Sequence, residues 1–216
     1  MSEFVIHGVP GSPYVRAVLL GLEEKRAPWR IAAMRPGENK APAHLARHPF
    51  GRLPVLDDGD FQLYETQAIL RYLDRILPQP HLTPDDARAE ARMNQVIGIT
   101  DCYVMPDCSA GIVFGRIVAP KFGLPVDEAR IAASVPKATV CLATLEGLLG
   151  GQDFMAGSAL SLADLMLAPH LSYLAMTLEG TTLLAERPGL SAWLARMEAR
   201  PSMTATRWEA VSARAA

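Results

Sequence analysis

Leu53-Pro54-Val55-Leu56-Asp57-Asp58-Gly59-Asp60-Phe61-Gln62-Leu63 is the stretch on which the fold turns. Two short apolar runs, Leu53 to Leu56 and Phe61 to Leu63, flank a polar turn containing a glycine, and that pattern predicts a β-hairpin. Immediately after it, Thr66 to Ile76 changes period: Ile69, Leu70, Leu73 and Leu77 fall on one helical face. Working backwards, Trp29 to Ala33 is a second, weaker strand, and Lys40 to Arg47 is short helical or irregular chain. Glu3 to His7 is a strand-like run, Gly8-Val9-Pro10-Gly11-Ser12-Pro13 a turn cluster, and Val15 to Glu24 a helix with Val15, Val18, Leu19 and Leu22 in register. The order β-α-β, irregular segment, β-β, α describes a small α/β domain.

Working forwards, Pro78-Gln79-Pro80-His81-Leu82-Thr83-Pro84 holds three prolines in seven residues and reads as a connector. Everything beyond it has a helical period. Ala87 to Gly98 comes first, then a segment interrupted at Pro106 and Pro120. Val135 to Leu149, Leu162 to Leu178, Leu190 to Arg200 and a tail helix follow. The expected organisation is an α/β domain over residues 1–78, a linker over 79–87 and an all-helical domain over 88–216.

Composition narrows the class of function. The 216 residues are 50% hydrophobic, enough for a sizeable core, and the net charge is −2 with both signs interspersed. That balance speaks against a nucleic-acid surface or a polybasic membrane patch. Met1-Ser2-Glu3 lacks the basic start of a secretory signal, and no run reaches the roughly 18 apolar residues of a membrane span. The apolar segment around Leu160 to Leu178 reads as a buried core helix. The three cysteines, Cys102, Cys108 and Cys141, are odd in number and form no C-x-x-C pair. They suit neither a disulfide scaffold nor a metal site, and the expectation is three buried small hydrophobes in a reducing compartment.

Several polar residues have an ordinary local reading. Ser12 before Pro13 suits a helix N-cap with proline at the first helical position. Glu65 and Thr66 open the helix after the hairpin, where an acid and a hydroxyl are common. Ser161-Leu162-Ala163-Asp164 resembles a capping box, a folding device. Lys40 and Arg52 read locally as solvated surface charges, and a lone loop phenylalanine such as Phe50 as local core.

Four segments taken together carry more. They are Gly8 to Arg16, His48-Pro49-Phe50-Gly51-Arg52-Leu53-Pro54-Val55-Leu56, Leu63-Tyr64-Glu65-Thr66-Gln67-Ala68-Ile69, and Gly157 to Asp164. In order and spacing the chain resembles the cytosolic glutathione transferases, most closely the serine-type branch with its phi- and theta-like plant and bacterial members. The resemblance implies a thioredoxin-like N-terminal domain, an all-helical C-terminal domain, a homodimer and a cytoplasmic location. It implies glutathione as co-substrate with a small hydrophobic electrophile, and no permanently bound cofactor, metal, nucleic acid or membrane.

The resemblance also assigns roles. Ser12 falls at the family's catalytic serine. A free thiol has a pKa of about 8.5, and a hydroxyl donating to the thiolate contributes about 1.5–3 kcal/mol, with roughly 0.3–1 kcal/mol more from a helix N-terminus. Tyr14 is a lesser hydroxyl donor. Glu65 is implied to pair with the α-ammonium of glutathione, and Thr66, where relatives usually carry serine, to hold its α-carboxylate. Leu53 is implied to pair with the cysteinyl backbone, ahead of the family's cis-proline at Pro54. Lys40 and Arg52, with Asn39 assisting, are implied to reach the glycyl carboxylate, though relatives carry glutamine in place of Arg52. Phe50 matches an aromatic key inserted into a partner subunit. His48 departs from a frequent asparagine and receives no role. The electrophile pocket is expected where the helix around Tyr103 to Phe114 faces Ser12, with Tyr103, Met105, Ile112 and Phe114 as candidates that serve equally as core.

Two other readings stay open at this point. A non-catalytic glutathione-binding or interaction protein on the same fold would keep the site without turnover. A glutathione-dependent isomerase or peroxidase would use it differently. A cysteine-dependent thiol transferase needs a cysteine at the start of the first helix, and none is there.

Overall fold

The computed structural model describes residues 3–77 and 79–215. Pro78, where the connector was expected to open, lies outside the described residues, as do Met1 and Ser2. The chain separates into two compact units: residues up to Thr83 together with those from Ala199 onward, and Pro84–Glu198.

In the first unit the elements are β1 (Phe4–Gly8), α1 (Pro13–Glu24), β2 (Trp29–Ala33), a short turn of 3₁₀ helix at Glu38–Lys40, α2 (Pro42–Leu45), β3 (Val55–Asp58), β4 (Phe61–Tyr64) and α3 (Thr66–Ile76). The sheet order is β2-β1-β3-β4, with β1 parallel to β2 and the other pairs antiparallel. The hairpin closes on a two-residue turn between Asp58 and Phe61, where Gly59 takes φ 62, a conformation glycine adopts without a steric cost. Phe4 and Ile6 of β1, Val15, Val18, Leu19 and Leu22 of α1, Leu56 of β3, and Ile69 and Leu73 of α3 form one core. Truncating such a leucine to alanine costs about 2–5 kcal/mol. This is a thioredoxin-like α/β unit, as the sequence implies.

The helical unit begins with α4 (Ala87–Ile99), capped by Asp86, whose carboxylate accepts from Arg88 N and Ala89 N. The chain then runs without a break through Thr100–Val118 into α5 (Ala119–Lys121). The expected interruption at Pro106 does not occur, whereas the helix ends at Lys121, one residue past Pro120. Proline lacks an N–H and its ring crowds the carbonyl one turn back. Thr100–Val118 is wound in the wider π manner, in which an N–H reaches five residues back, as Ala119 N does to Phe114 O. Such winding is rare beyond a single turn. Next come α6 (Glu128–Leu149), α7 (Leu162–Leu174), α8 (Leu178–Ala185) and α9 (Pro188–Glu198). Helix α6 starts ahead of the expected Val135, at the Asp127 cap, and passes through Pro136. The run expected to continue to Leu178 stops at Leu174, and Thr177 caps a separate α8.

By length and composition alone, Ala87–Lys121 and Glu128–Leu149 would each cross a membrane. Both pack against one another and against neighbouring helices of the unit, as core helices do. Asp164 holds the unit together at full burial, accepting from Met155 N, Ser161 N, Ser161 Oγ and Trp193 Nε1 at 2.7–2.9 Å. Burial pushes its carboxyl up against the pull of those four donors. The capping role expected of Ser161 and Asp164 is therefore present, extended to Trp193. Cys108 and Cys141 are buried as expected, and burial raises both thiols, that of Cys141 to about 11. Cys102 corrects the expectation, for it is exposed.

Two last helices, α10 (Pro201–Ala205) and α11 (Trp208–Arg214), return to the first unit. The expected helical domain over 88–216 therefore ends near Glu198. Arg200 pairs with Glu24 through two nitrogens, Arg16 donates to Met203 O, and Val211 joins the α/β core. Trp208 packs on Gly11 so closely that a side-chain carbon there would lie 2.6 Å from the ring.

Candidate active site

Strand register gathers the site. His7 faces Val55, and Val55 faces Tyr64. The end of β1, the start of β3 and the end of β4 therefore lie side by side, which brings Gly8, Pro54 and Glu65 to one edge of the sheet. The turn after β1 leads to Ser12 at the N-terminus of α1, and Glu65 leads into α3. Two helix N-termini, each the positive end of its helix dipole, open from this edge.

Ser12 has extended backbone (φ −73, ψ 127), and its Oγ accepts from Val15 N at 3.4 Å. This is the N-cap read from the sequence, and it is a long bond. Accepting occupies a lone pair of the hydroxyl and leaves its proton to donate. Tyr14, half-buried, sits in the first turn of the same helix.

The loop before β3 is fixed from several sides. Asn39 Nδ2 donates to Gly51 O at 2.7 Å, and His44 Nε2 contacts Arg52 O at 2.7 Å. Asn39 therefore holds the loop with its amide, while the Lys40 and Arg52 side chains are exposed. The Leu53–Pro54 peptide is cis, as the resemblance implies, and Gln79–Pro80 is a second cis bond that the sequence reading did not anticipate. Phe50 is 68% exposed, so its reading as local core is corrected.

Glu65 has φ 73 and ψ 113, an uncommon backbone for a non-glycine residue. Its side chain makes no capping bond to α3 and is largely exposed, while Thr66 is buried at the first position of the helix. The N-cap side chain thus leaves the first turn of α3 to other partners, and the positive end of the helix suits a carboxylate. His48 Nε2 lies 4.0 Å from Glu65 Oε1, and its ring stacks on Tyr64 with centroids 4.4 Å apart. Burial, the larger influence, lowers the His48 imidazole, while Glu65 pulls it up.

Tyr103, Met105, Ile112 and Phe114 all lie in the π-wound segment of the helical unit. Tyr103 and Phe114 are exposed, Met105 is half-buried, and Ile112 is wholly buried, a core position. Tyr103 lines a largely apolar groove of about 490 Å³ with Ile99, Val140, Cys141 and Thr144, flanked by the Asp107–Lys137 pair, and the other three do not. His44 and His48 are the residues that sequence reasoning missed at the α/β edge. The departure from asparagine at His48 was the available signal. The contact with Glu65 arises from the fold, and spacing along the chain does not show it.

Known proteins match this arrangement along the whole chain. Residues 6–81 match the family described as glutathione S-transferase, N-terminal domain, and residues 128–196 the C-terminal domain of the same name. Glutathione S-transferase 4 of Zea mays is 32% identical over 200 residues, 91% of this chain and 88% of that protein. A glutathione S-transferase of Hyoscyamus muticus is 30% identical, over 91% of this chain and 94% of its own. Among solved structures, glutathione transferase F7 from Populus trichocarpa superposes with a TM-score of 0.84 at 28% identity over 99% of both chains. The maize glutathione S-transferase I, solved with an atrazine glutathione conjugate, superposes with a TM-score of 0.83 at 27% identity, over 99% of this chain and 98% of its own.

Proposed function

The chain belongs to the glutathione S-transferase family and has the activity of a glutathione transferase, and we propose that Ser12 is the residue that stabilises the thiolate. The observation that carries this reading is the geometry at the start of α1: Ser12 Oγ accepts from Val15 N and keeps its proton for a donor bond. A thiolate beside a hydroxyl and a helix N-terminus is favoured over the thiol, and only the thiolate is a competent nucleophile. The sulfur then attacks an electrophilic carbon. A C–S bond forms as the electron pair leaves with the departing group, or moves onto the acceptor and is protonated from solvent.

In this reading Glu65 pairs with the α-ammonium of glutathione. Thr66 and the uncapped start of α3 hold the α-carboxylate, which favours burying a charge at that terminus. The backbone of Leu53, before cis-Pro54, pairs with the cysteinyl part. Lys40, from the 3₁₀ turn, and Arg52, on the loop that Asn39 and His44 hold from behind, meet the glycyl carboxylate. Tyr103 offers an apolar wall for the electrophile, Met105 and Phe114 belong to the same segment outside its groove, and Ile112 supports that segment from the core. The proposal extends to a homodimer, supported by the exposed Phe50 ring, and to the cytoplasmic location implied by the family.

The test is retention on a glutathione-affinity column followed by turnover of a panel of electrophiles, with Ser12→Ala beside the wild type. Binding without turnover on any electrophile would favour a non-catalytic binding protein. Turnover that Ser12→Ala leaves unchanged would remove Ser12 from the mechanism.

A further inference from the structure

His48 is nearly solvent-free, with 1% of its surface exposed. Its backbone N–H donates to His44 O at 2.9 Å, and its carbonyl accepts from Gly51 N at 2.8 Å. Its ring lies flat on Tyr64, with Phe50 edge-on at 6.1 Å and His44 at 6.2 Å. Nδ1 is buried with no hydrogen-bond partner, and Nε2 faces Glu65 Oε1 at 4.0 Å. At 4.0 Å this is an electrostatic contact and not a hydrogen bond, and a carboxylate at that distance favours the neutral tautomer that carries its proton on Nε2. Among the described residues, His48 is the ion-pair partner of Glu65. The Glu65 side chain has no capping bond to restrain it.

We propose that His48 is the positioning residue for Glu65: in its neutral form it steers the carboxylate toward the ammonium of glutathione, and in its protonated form it competes with that ammonium. The inference rests on the reading that Glu65 grips the γ-glutamyl end. The groups that face the ring agree with a proton-dependent role. Burial against Tyr64 and Phe50 keeps the imidazole neutral at pH 7, Glu65 favours protonation, and His44 and Arg52 oppose it. Acid therefore installs a second cation about 4 Å from the carboxylate that the substrate needs. S-Methylglutathione has no thiol to ionise, its carboxylates stay charged from about pH 5.5 to 7.5, and its ammonium begins to lose its proton only at the top of that range, which weakens binding there and runs opposite to the expected loss in acid.

Calorimetric titration of S-methylglutathione, whose sulfur cannot ionise, into wild type, His48→Gln, His48→Phe and Glu65→Gln at pH 5.5, 6.5 and 7.5 tests it. Wild-type affinity is expected to fall by about fivefold from pH 7.5 to 5.5, the scale of a modest competing ion pair. His48→Gln keeps an N–H donor that does not titrate, so it should bind like wild type at pH 7.5 with no acid loss. His48→Phe keeps the stack on Tyr64 without either nitrogen and should be weaker by a similar factor at every pH. A wild-type slope that His48→Gln reproduces overturns the proposal, as does wild-type affinity in His48→Phe. If Glu65→Gln binds as wild type does, the γ-glutamyl grip itself has failed, an outcome separate from the other two.

Discussion

Lys25 Nζ meets Asp74 Oδ1 at 2.5 Å, with 1% and 4% of the two side chains exposed. Nothing about this pair is left half-satisfied. Lys25 also donates to Leu77 O and Pro80 O, and Asp74 accepts from Leu82 N and Thr83 Oγ1. The pair joins the end of α1 to α3 and to the proline-rich segment that follows. Buried ion pairs add little over an apolar pair of the same shape, but half of one is costly.

Asp74→Ala should therefore destabilise the protein by about 3–5 kcal/mol by leaving the Lys25 ammonium buried and unpaired. The double variant Asp74→Ala with Lys25→Met should recover part of that loss. Burial raises the Asp74 carboxyl, but the Lys25, Thr83 and Leu82 donors outweigh it and hold it below the usual range. Its folded value is depressed, so its stabilisation is complete above the unfolded value of about 3.9 and disappears as pH falls through the folded one. Urea denaturation of the three proteins at neutral pH measures the difference. A single variant as stable as wild type would contradict the account.

His170 should make the protein acid-sensitive over a different window. It is wholly buried, with Ser109 Oγ at 2.7 Å from Nδ1, and burial pushes the imidazole down to about 3. The folded value lies below the unfolded one of about 6.5, so the unfolded chain binds the proton first. Stability is full above that unfolded value and declines as pH falls toward the folded one. Between about pH 6.5 and 4.5 the loss reaches as much as about 3 kcal/mol. In His170→Asn, this component of the slope should vanish even if the variant starts out less stable. Denaturation midpoints across this range compare the two slopes, and parallel slopes would rule out His170 as the cause.

The sequence was most readable where one segment satisfies itself. Helix α3 runs from Thr66 to Ile76 as its period predicts, because Ile69, Leu70 and Leu73 define its apolar buried stripe. Around Pro106 and Pro136, a local rule was overridden by packing. Val104, Cys108, Ile112, Ala138 and Leu142 are all buried, so the continuous helices gain more from that burial than the prolines cost. The tail illustrates a different gap. Arg200, Met203 and Trp208 meet Glu24, Arg16 and Gly11 across nearly the whole length of the chain, and periodicity carries no information about such partners. At the candidate site, Ser12 as a cap and Thr66 at a helix start were legible locally. The roles beyond capping came from the set of four segments in register. The approach of His48 to Glu65 depends on the β3–β4 register and on the turn at Gly51, and no short window of sequence contains both.

Glu65→Ala should weaken glutathione binding by about 1.5–3 kcal/mol through loss of a charge-assisted hydrogen bond to the α-ammonium. Stability should change little. The side chain is mostly exposed and caps nothing, and alanine would gain no contact. Titration calorimetry near pH 7 provides the number. An unchanged dissociation constant would refute the γ-glutamyl grip.

Phe50 bears on assembly. A ring that is 68% exposed at a loop tip is an unusual use of an aromatic residue unless another surface covers it. Light scattering at micromolar concentration should give about twice the 23.4 kDa chain mass, as expected for a two-fold dimer. Phe50→Ala should shift the equilibrium toward monomer without lowering the stability of the α/β unit, since the ring makes little of its core. A monomer at all concentrations would contradict the assembly. A dimer that tolerates Phe50→Ala would place the contact elsewhere.

Ser12→Ala separates the two roles that one hydroxyl can fill. Loss of an N-cap typically costs about 1 kcal/mol, and the 3.4 Å bond to Val15 N argues for the lower part of that range. The catalytic role has another signature. If the Ser12 proton holds the thiolate, glutathione bound to the variant should lose roughly one to two pKa units of acidification, so its thiolate absorbance should appear at higher pH. Turnover near pH 6.5 should drop by about ten- to a hundredfold and partly recover in alkali, where the thiol ionises unaided. Ser12→Cys offers a second chemistry at the same position. When oxidised glutathione is supplied, the introduced thiolate can attack one sulfur of that disulfide. A mixed S–S bond forms as the original S–S bond breaks, and the other glutathione leaves as its thiolate. That variant should shift from conjugation toward disulfide exchange. The deciding measurement is the pH–rate profile of Ser12→Ala at saturating glutathione, where losses in binding drop out. If the profile overlays that of the wild type, Ser12 is a cap alone, and the thiolate is held by Tyr14 or by the backbone amides at the start of α1.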